Sequence, residues 1–134
     1  MNDKEEKSIN LDNNPNKELL SEAQCLFAYY VGQLLVHIYQ QGYYCTIGEV
    51  YRTAEQAEIY AKEGKGIKNS KHCKKLAIDL TLFKPGSPTF CADDVYEEFG
   101  RYWKSLDKRN KWGGDFMKNG QKWPDIYHYE IGEL

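Results

Sequence analysis

The sequence has no hydrophobic run long enough to cross a bilayer, which excludes a membrane-spanning helix. Its opening stretch, MNDKEEKSINLDNNPNK, lacks the apolar segment of a secretory signal, so the expectation is a chain without a standard export signal. A dominant charge is missing too. Lys and Arg total 18 against 20 Asp and Glu, for a formal net charge of -2. That balance leaves no electrostatic case for nucleic acid or an anionic membrane as partner. The lysines gathered between positions 65 and 75 are offset by acids elsewhere and read as a local rim. Paired cysteines are also absent. Cys25, Cys45, Cys73 and Cys91 are scattered without a C-x-x-C, which argues against a structural zinc framework and for free thiols.

What is present is an ordinary globular composition. The 134 residues, 41% of them hydrophobic, suit one domain with one core. The expected layout is a flexible polar arm over 1–16 and a single domain over 17–134, acting as a monomer. Apolar residues from Leu19 to Ile38 recur at helical spacing, which predicts a helix from Lys17 to Gln41, ended by Gly42. Aromatic and β-branched residues over 43–53 predict a strand. Thr53 and Gln56 match a capping box opening a short helix. A second strand is expected over 76–83. A third helix follows, capped by Asp93 or Asp94, and an Asn-Gly turn lies between short strands near 118–123. The last strand spans about 127–131. Helices that precede and interrupt a small sheet give the class α+β.

The strand over 76–83 carries the first chemical clue. Side chains alternate faces along a strand. Leu76, Ile78, Leu80 and Leu82 share one apolar face, whereas Ala77, Asp79 and Thr81 share the other. Asp79 therefore projects away from the core, beside residues too small to cover it. A carboxylate in such a cleft needs a partner, because burying an unpaired charge is costly. A metal ion, a basic side chain or backbone N–H groups would each serve. His72 lies in the preceding loop, and His128 falls in the last strand with Glu130 on its own face. Two histidines and an aspartate form a three-ligand set for catalytic zinc, with the fourth position left to water. His37, on the flank of the first helix, reads as a surface or packed histidine.

Three motifs then sharpen the reading. Ser70-Lys-His72, followed by four residues and Ala77-Ile-Asp79, resembles the S-x-H-x-x-G-x-A-x-D motif of the M15 family of zinc peptidases. That family contains D-Ala-D-Ala carboxypeptidases and dipeptidases and phage L-alanyl-D-glutamate endopeptidases. The C-terminal WGGDF…WPDIYHYE is similar to the family's W-G-G…(D/E)-x-x-H ending, and EVYRTAEQ resembles its arginine-bearing segment. The three occur in order across about residues 17–131.

The resemblance implies a Hedgehog/DD-peptidase-like α+β fold, a small antiparallel sheet packed against helices with a zinc cleft. It implies one zinc ion held by His72, Asp79 and His128. It further implies Asp125 as general base, Arg52 facing the polarised carbonyl, and Ser70 as a substrate or supporting contact. Glu130 is the fallback base. The implied reaction is hydrolysis of a peptidoglycan stem-peptide amide. An endopeptidase cutting L-alanyl-D-glutamate is favoured, since the base is Asp rather than the Glu of the carboxypeptidases. The alternatives are a D-Ala-D-Ala carboxypeptidase and a non-catalytic, zinc-containing wall-binding module. An endolysin of a phage or prophage, cytoplasmic until released onto the cell wall, would fit. One departure is Lys75, which stands where the motif has glycine.

Overall fold

The computed structural model describes residues 19–66, 70–87 and 89–132. The expected arm over 1–16 and the predicted helix start at Lys17 lie outside the described residues. The observed elements are α1 (Leu20–Gln40), β1 (Tyr44–Ile47), α2 (Ala54–Lys62), β2 (Ala77–Phe83), α3 (Asp93–Leu106), β3 (Asn110–Trp112), β4 (Met117–Lys118), β5 (Gln121–Lys122) and β6 (His128–Ile131). Short 3-10 turns occupy Lys71–Lys74 and Gly113–Asp115. The expected α+β class is the one observed. No helix among the described residues is long and apolar enough to cross a membrane.

A four-stranded antiparallel sheet, ordered β1-β2-β6-β3, forms the centre, and β4 pairs with β5 in a separate hairpin. The alternating pattern of β2 places Leu80 and Leu82 at 0% exposure, with Leu76 and Ile78 nearly as deep. Phe27, Leu34 and Ile38 of α1 and Tyr96, Phe99 and Trp103 of α3 close the core over them. Each large apolar side chain buried in this way stabilises the fold by roughly 1.5–3 kcal/mol. Trp103 ties the layers together. Its ring meets Phe27 edge-on at 5.7 Å, and its indole N–H donates to the Glu130 carbonyl at 2.9 Å. His37 proves to be packed, stacked 3.7 Å from the Tyr102 ring.

Local chemistry explains where the elements stop. Thr53 caps α2, its hydroxyl accepting the Gln56 N–H at 3.0 Å, the threonine half of the expected box. Asn119 and Gly120, at φ 53° and 76°, form the turn of the β4–β5 hairpin. Two expectations are corrected. The strand predicted over 43–53 ends at Ile47. From Gly48 onward the backbone bonds irregularly to residues 72 and 79 instead of laddering. The N-cap of α3 is Ala92, not an aspartate. Asp93 and Asp94 sit inside the first turn, where their charge meets the positive end of the helix dipole.

Candidate metal centre

Three stretches of chain deliver three side chains to one place. Asp79 and His128 face each other directly across the β2–β6 ladder, so strand pairing alone puts them on a common face, opposite the core. His72 arrives on the 3-10 turn that precedes β2. Ser70 starts that turn, its buried hydroxyl accepting the His72 N–H at 3.1 Å. Lys75 ends it in the left-handed conformation, φ 57° and ψ 40°, and turns the chain into β2.

One nitrogen of each imidazole is occupied by the surrounding protein. His72 Nδ1 is 3.1 Å from the Val50 carbonyl, and His128 Nε2 is 2.7 Å from Glu130 Oε1. The other nitrogens turn inward. His72 Nε2 stands 3.3 Å from Asp79 Oδ1, and His128 Nδ1 stands 3.4 Å from the same oxygen. A donor atom from each residue lies within 4.8 Å of those of the others. Donors about 2.0 Å from a tetrahedral zinc are roughly 3.3 Å apart, so both short edges have the right length. Asp79 Oδ1 is also buried with no hydrogen-bond partner among the described residues. Of the partners conceivable for Asp79, a cation between the three donors therefore fits best. The orienting contacts on the outer nitrogens are those that metal-binding histidines require.

Charge in this cluster is strongly coupled. Burial alone would raise the Asp79 carboxyl, but the two imidazoles beside it outweigh burial and hold its pKa at about 2. Burial opposes charge on His128 as well, yet Asp79 and Glu130 push that imidazole up to about 9. The donor set is thus poised to hold positive charge, as a proton or as a metal ion.

The other expected residues lie around this centre. Asp125 occupies the turn entering β6. The His128 N–H donates to the Asp125 carbonyl at 3.2 Å, an irregular approach to the strand directly after Pro124. As a residue Asp125 is exposed, but its carboxyl is desolvated enough to raise its pKa, with Asp79 adding to the rise and His128 opposing it. Gly113 makes this turn feasible, because an added Cβ would stand 2.1 Å from the Asp125 carbonyl oxygen. Arg52 is tied by its N–H to the His72 carbonyl at 3.1 Å and lies over the Tyr60 ring at 5.0 Å. Glu130 is engaged with His128, on the side of the ring away from Asp79.

Sequence reasoning overlooked Glu49, whose carboxylate pairs with Arg52, and Phe116, whose ring packs 5.4 Å from His128. Trp112 and Tyr129 are core residues, whereas Trp123 and Tyr127 remain exposed.

The sequence matches no protein-family model and no curated protein sequence. The fold does have solved counterparts. One is the L-Ala D-Glu endopeptidase ChiX of Serratia marcescens, with a TM-score of 0.50, 17% identity and 66% of each chain covered. The chain thus spans just under two thirds of that enzyme's length. Another is the vancomycin-resistance D,D-pentapeptidase VanY from a VanB-type cassette, a mutant form in complex with Zn(II). There the TM-score is 0.55 at 16% identity, over 78% of this chain and 70% of that chain. The likeness is one of fold.

Proposed function

We propose that this chain is a zinc-dependent peptidase that hydrolyses an amide bond in the peptidoglycan stem peptide, with the L-alanyl-D-glutamate bond as its preferred target. The observation that carries this reading is the convergence of His72 Nε2, Asp79 Oδ1 and His128 Nδ1, each imidazole fixed from behind. Solved structures of this fold include an L-Ala D-Glu endopeptidase and a zinc-bound D,D-pentapeptidase, which favours wall peptides as the substrate class.

When bound, zinc supplies a Lewis acid that polarises a carbonyl and brings the pKa of water to about 7. The rest of the work falls to the chain. His72, Asp79 and His128 hold the ion, and Val50 and Glu130 keep the two rings in orientation. Asp125 takes the proton of the attacking water and passes it to the leaving amine nitrogen. Its raised pKa suits a group that must both accept and return a proton. Arg52 stabilises the oxygen that gains negative charge.

The test combines metal analysis with digestion of purified peptidoglycan, the products being read by mass spectrometry. The expected result is about one zinc per chain in the wild type and none in Asp79→Ala. Opening of the L-Ala–D-Glu bond is expected, with turnover lost by a factor of about 10² or more in Asp125→Ala while zinc stays bound. Release of D-alanine alone would replace the endopeptidase assignment with the carboxypeptidase one. Zinc binding without any turnover would leave a wall-binding module.

A further inference from the structure

We propose that Glu49 is the positioning residue for Arg52, locking its guanidinium in the orientation that meets the developing oxyanion; this inference rests on the peptidase reading above. Glu49 Oε1 accepts from Arg52 Nε at 2.8 Å and from Nη2 in a second, shorter contact. The two residues are three apart in a segment that is neither helix nor strand, so no regular geometry brings them together. Backbone anchoring does so instead. The Glu49 carbonyl accepts the Asp79 N–H at 3.0 Å, and the Arg52 N–H donates to the His72 carbonyl at 3.1 Å. Both ends of the ion pair are thereby pinned to metal-ligating residues.

The pair is also sheltered, with side-chain exposures of 11% for Arg52 and 28% for Glu49. Exposed ion pairs contribute little because both partners are mobile and solvated. Here two donors converge on one oxygen, the backbone at each end is fixed, and the Tyr60 ring backs the guanidinium. Such a pair fixes direction more than it adds stability. Both contacts use the same carboxylate oxygen and the Nε/Nη2 edge, so the pair does not engage Nη1. A donor aimed at a transition-state charge acts only if its placement is held, and a displacement of about 1 Å can cost 10²-fold in rate.

The test uses the zinc-loaded chain and a synthetic stem peptide, with kcat, KM and zinc content measured for Glu49→Ala, Glu49→Gln, Arg52→Ala and the double variant. Glu49→Ala is expected to lower kcat by about 10–100-fold with KM and zinc content near wild type, as for an interaction made only in the transition state. Glu49→Gln, which keeps the Oε1 acceptor, recovers part of the loss. In the Arg52→Ala background Glu49→Ala costs nothing further, because its only route is through the arginine. Multiplying losses in the double variant, or zinc content falling in step with kcat, would overturn the proposal. A wild type that cuts no stem peptide defeats the peptidase reading separately. The clamp is then read from hydrogen exchange at Arg52 Nε–H by NMR: slow in wild type and fast in Glu49→Ala supports it, equal rates refute it.

Discussion

At Lys75 the left-handed backbone explains why the motif it resembles has glycine there. A φ of 57° costs a residue with a Cβ about 1 kcal/mol relative to glycine. The side chain offsets part of this by placing its ammonium 5.5 Å from the Tyr51 ring centroid, a contact contributing roughly 0.5 kcal/mol at an exposed site. Lys75→Gly is therefore expected to stabilise the metal-free protein by up to about 0.5 kcal/mol, read as an upward shift in denaturant midpoint at constant m-value. A clear loss of stability would show that the Tyr51 contact outweighs the backbone strain. Residues differed in how legible they were from sequence. Asp79 announced itself, because strand alternation assigns its face without reference to the rest of the fold. Glu49 did not: its significance depends on backbone bonds from residues 48–52 to two distant segments, and no periodicity encodes those. Ser70 was legible as the first residue of the motif, but only the start of the 3-10 turn shows that its hydroxyl accepts the His72 N–H.

Among the elements, those defined by one repeating pattern were readable and those defined by their neighbours were not. The stripes of α1 and α3, the alternation of β2 and the Asn-Gly turn each follow from local chemistry. The segment after Ile47 has equally strand-like residues, yet its partners are the Asp79 backbone of β2 and the turn at His72, so it runs as an irregular brace. The joint between Gly113 and the entry to β6 is of the same relational kind. There the Asp125 N–H donates to the Gly113 carbonyl at 2.8 Å, and an added Cβ on Gly113 would lie 2.8 Å from the His128 Cβ as well as against the Asp125 carbonyl. Neither neighbour is a flexible side-chain end, so backbone must move. Gly113→Ala is expected to cost about 1–3 kcal/mol, as overpacking does, and, on the proposed reading, to weaken zinc binding, because His128 is one of the three candidate donors. Gly32→Ala in α1, where an added Cβ meets nothing within 4 Å, serves as the control and should stabilise by roughly 1 kcal/mol. Calorimetry of both variants, with zinc titrations on each, checks the pair. Equal zinc affinity in Gly113→Ala and wild type would detach this joint from the metal centre.

For the molecule as a whole, the donor cluster couples folding to protons and, on the proposed reading, to metal. Asp79, depressed from 3.8 to about 2, contributes stability that is present above pH 3.8 and lost as pH falls through about 2. His128, raised from 6.5 to about 9, has the opposite sign. Its contribution is full below pH 6.5 and disappears as pH rises through about 9, when the imidazolium between Asp79 and Glu130 gives up its proton. Without metal, these two groups together therefore favour the folded state most between about pH 4 and 6.5, and their support declines toward pH 9. On the proposed reading, a zinc ion would take the place of that proton. It needs His128 Nδ1 unprotonated, so its apparent affinity rises with pH up to about 9. A ligand that binds only the folded chain stabilises by RT ln(1 + [L]/Kd), so the gain from a fixed excess of zinc grows with pH over the range in which the metal-free protein weakens. The expected outcome is a larger rise in Tm on replacing chelator with excess zinc at pH 8 than at pH 6, accompanied by proton release in calorimetric titrations near neutrality. A zinc-induced shift that is equal at the two pH values, or larger at pH 6, would mean that His128 does not exchange a proton for the metal, and the three-donor arrangement would lose its claim to be the binding site.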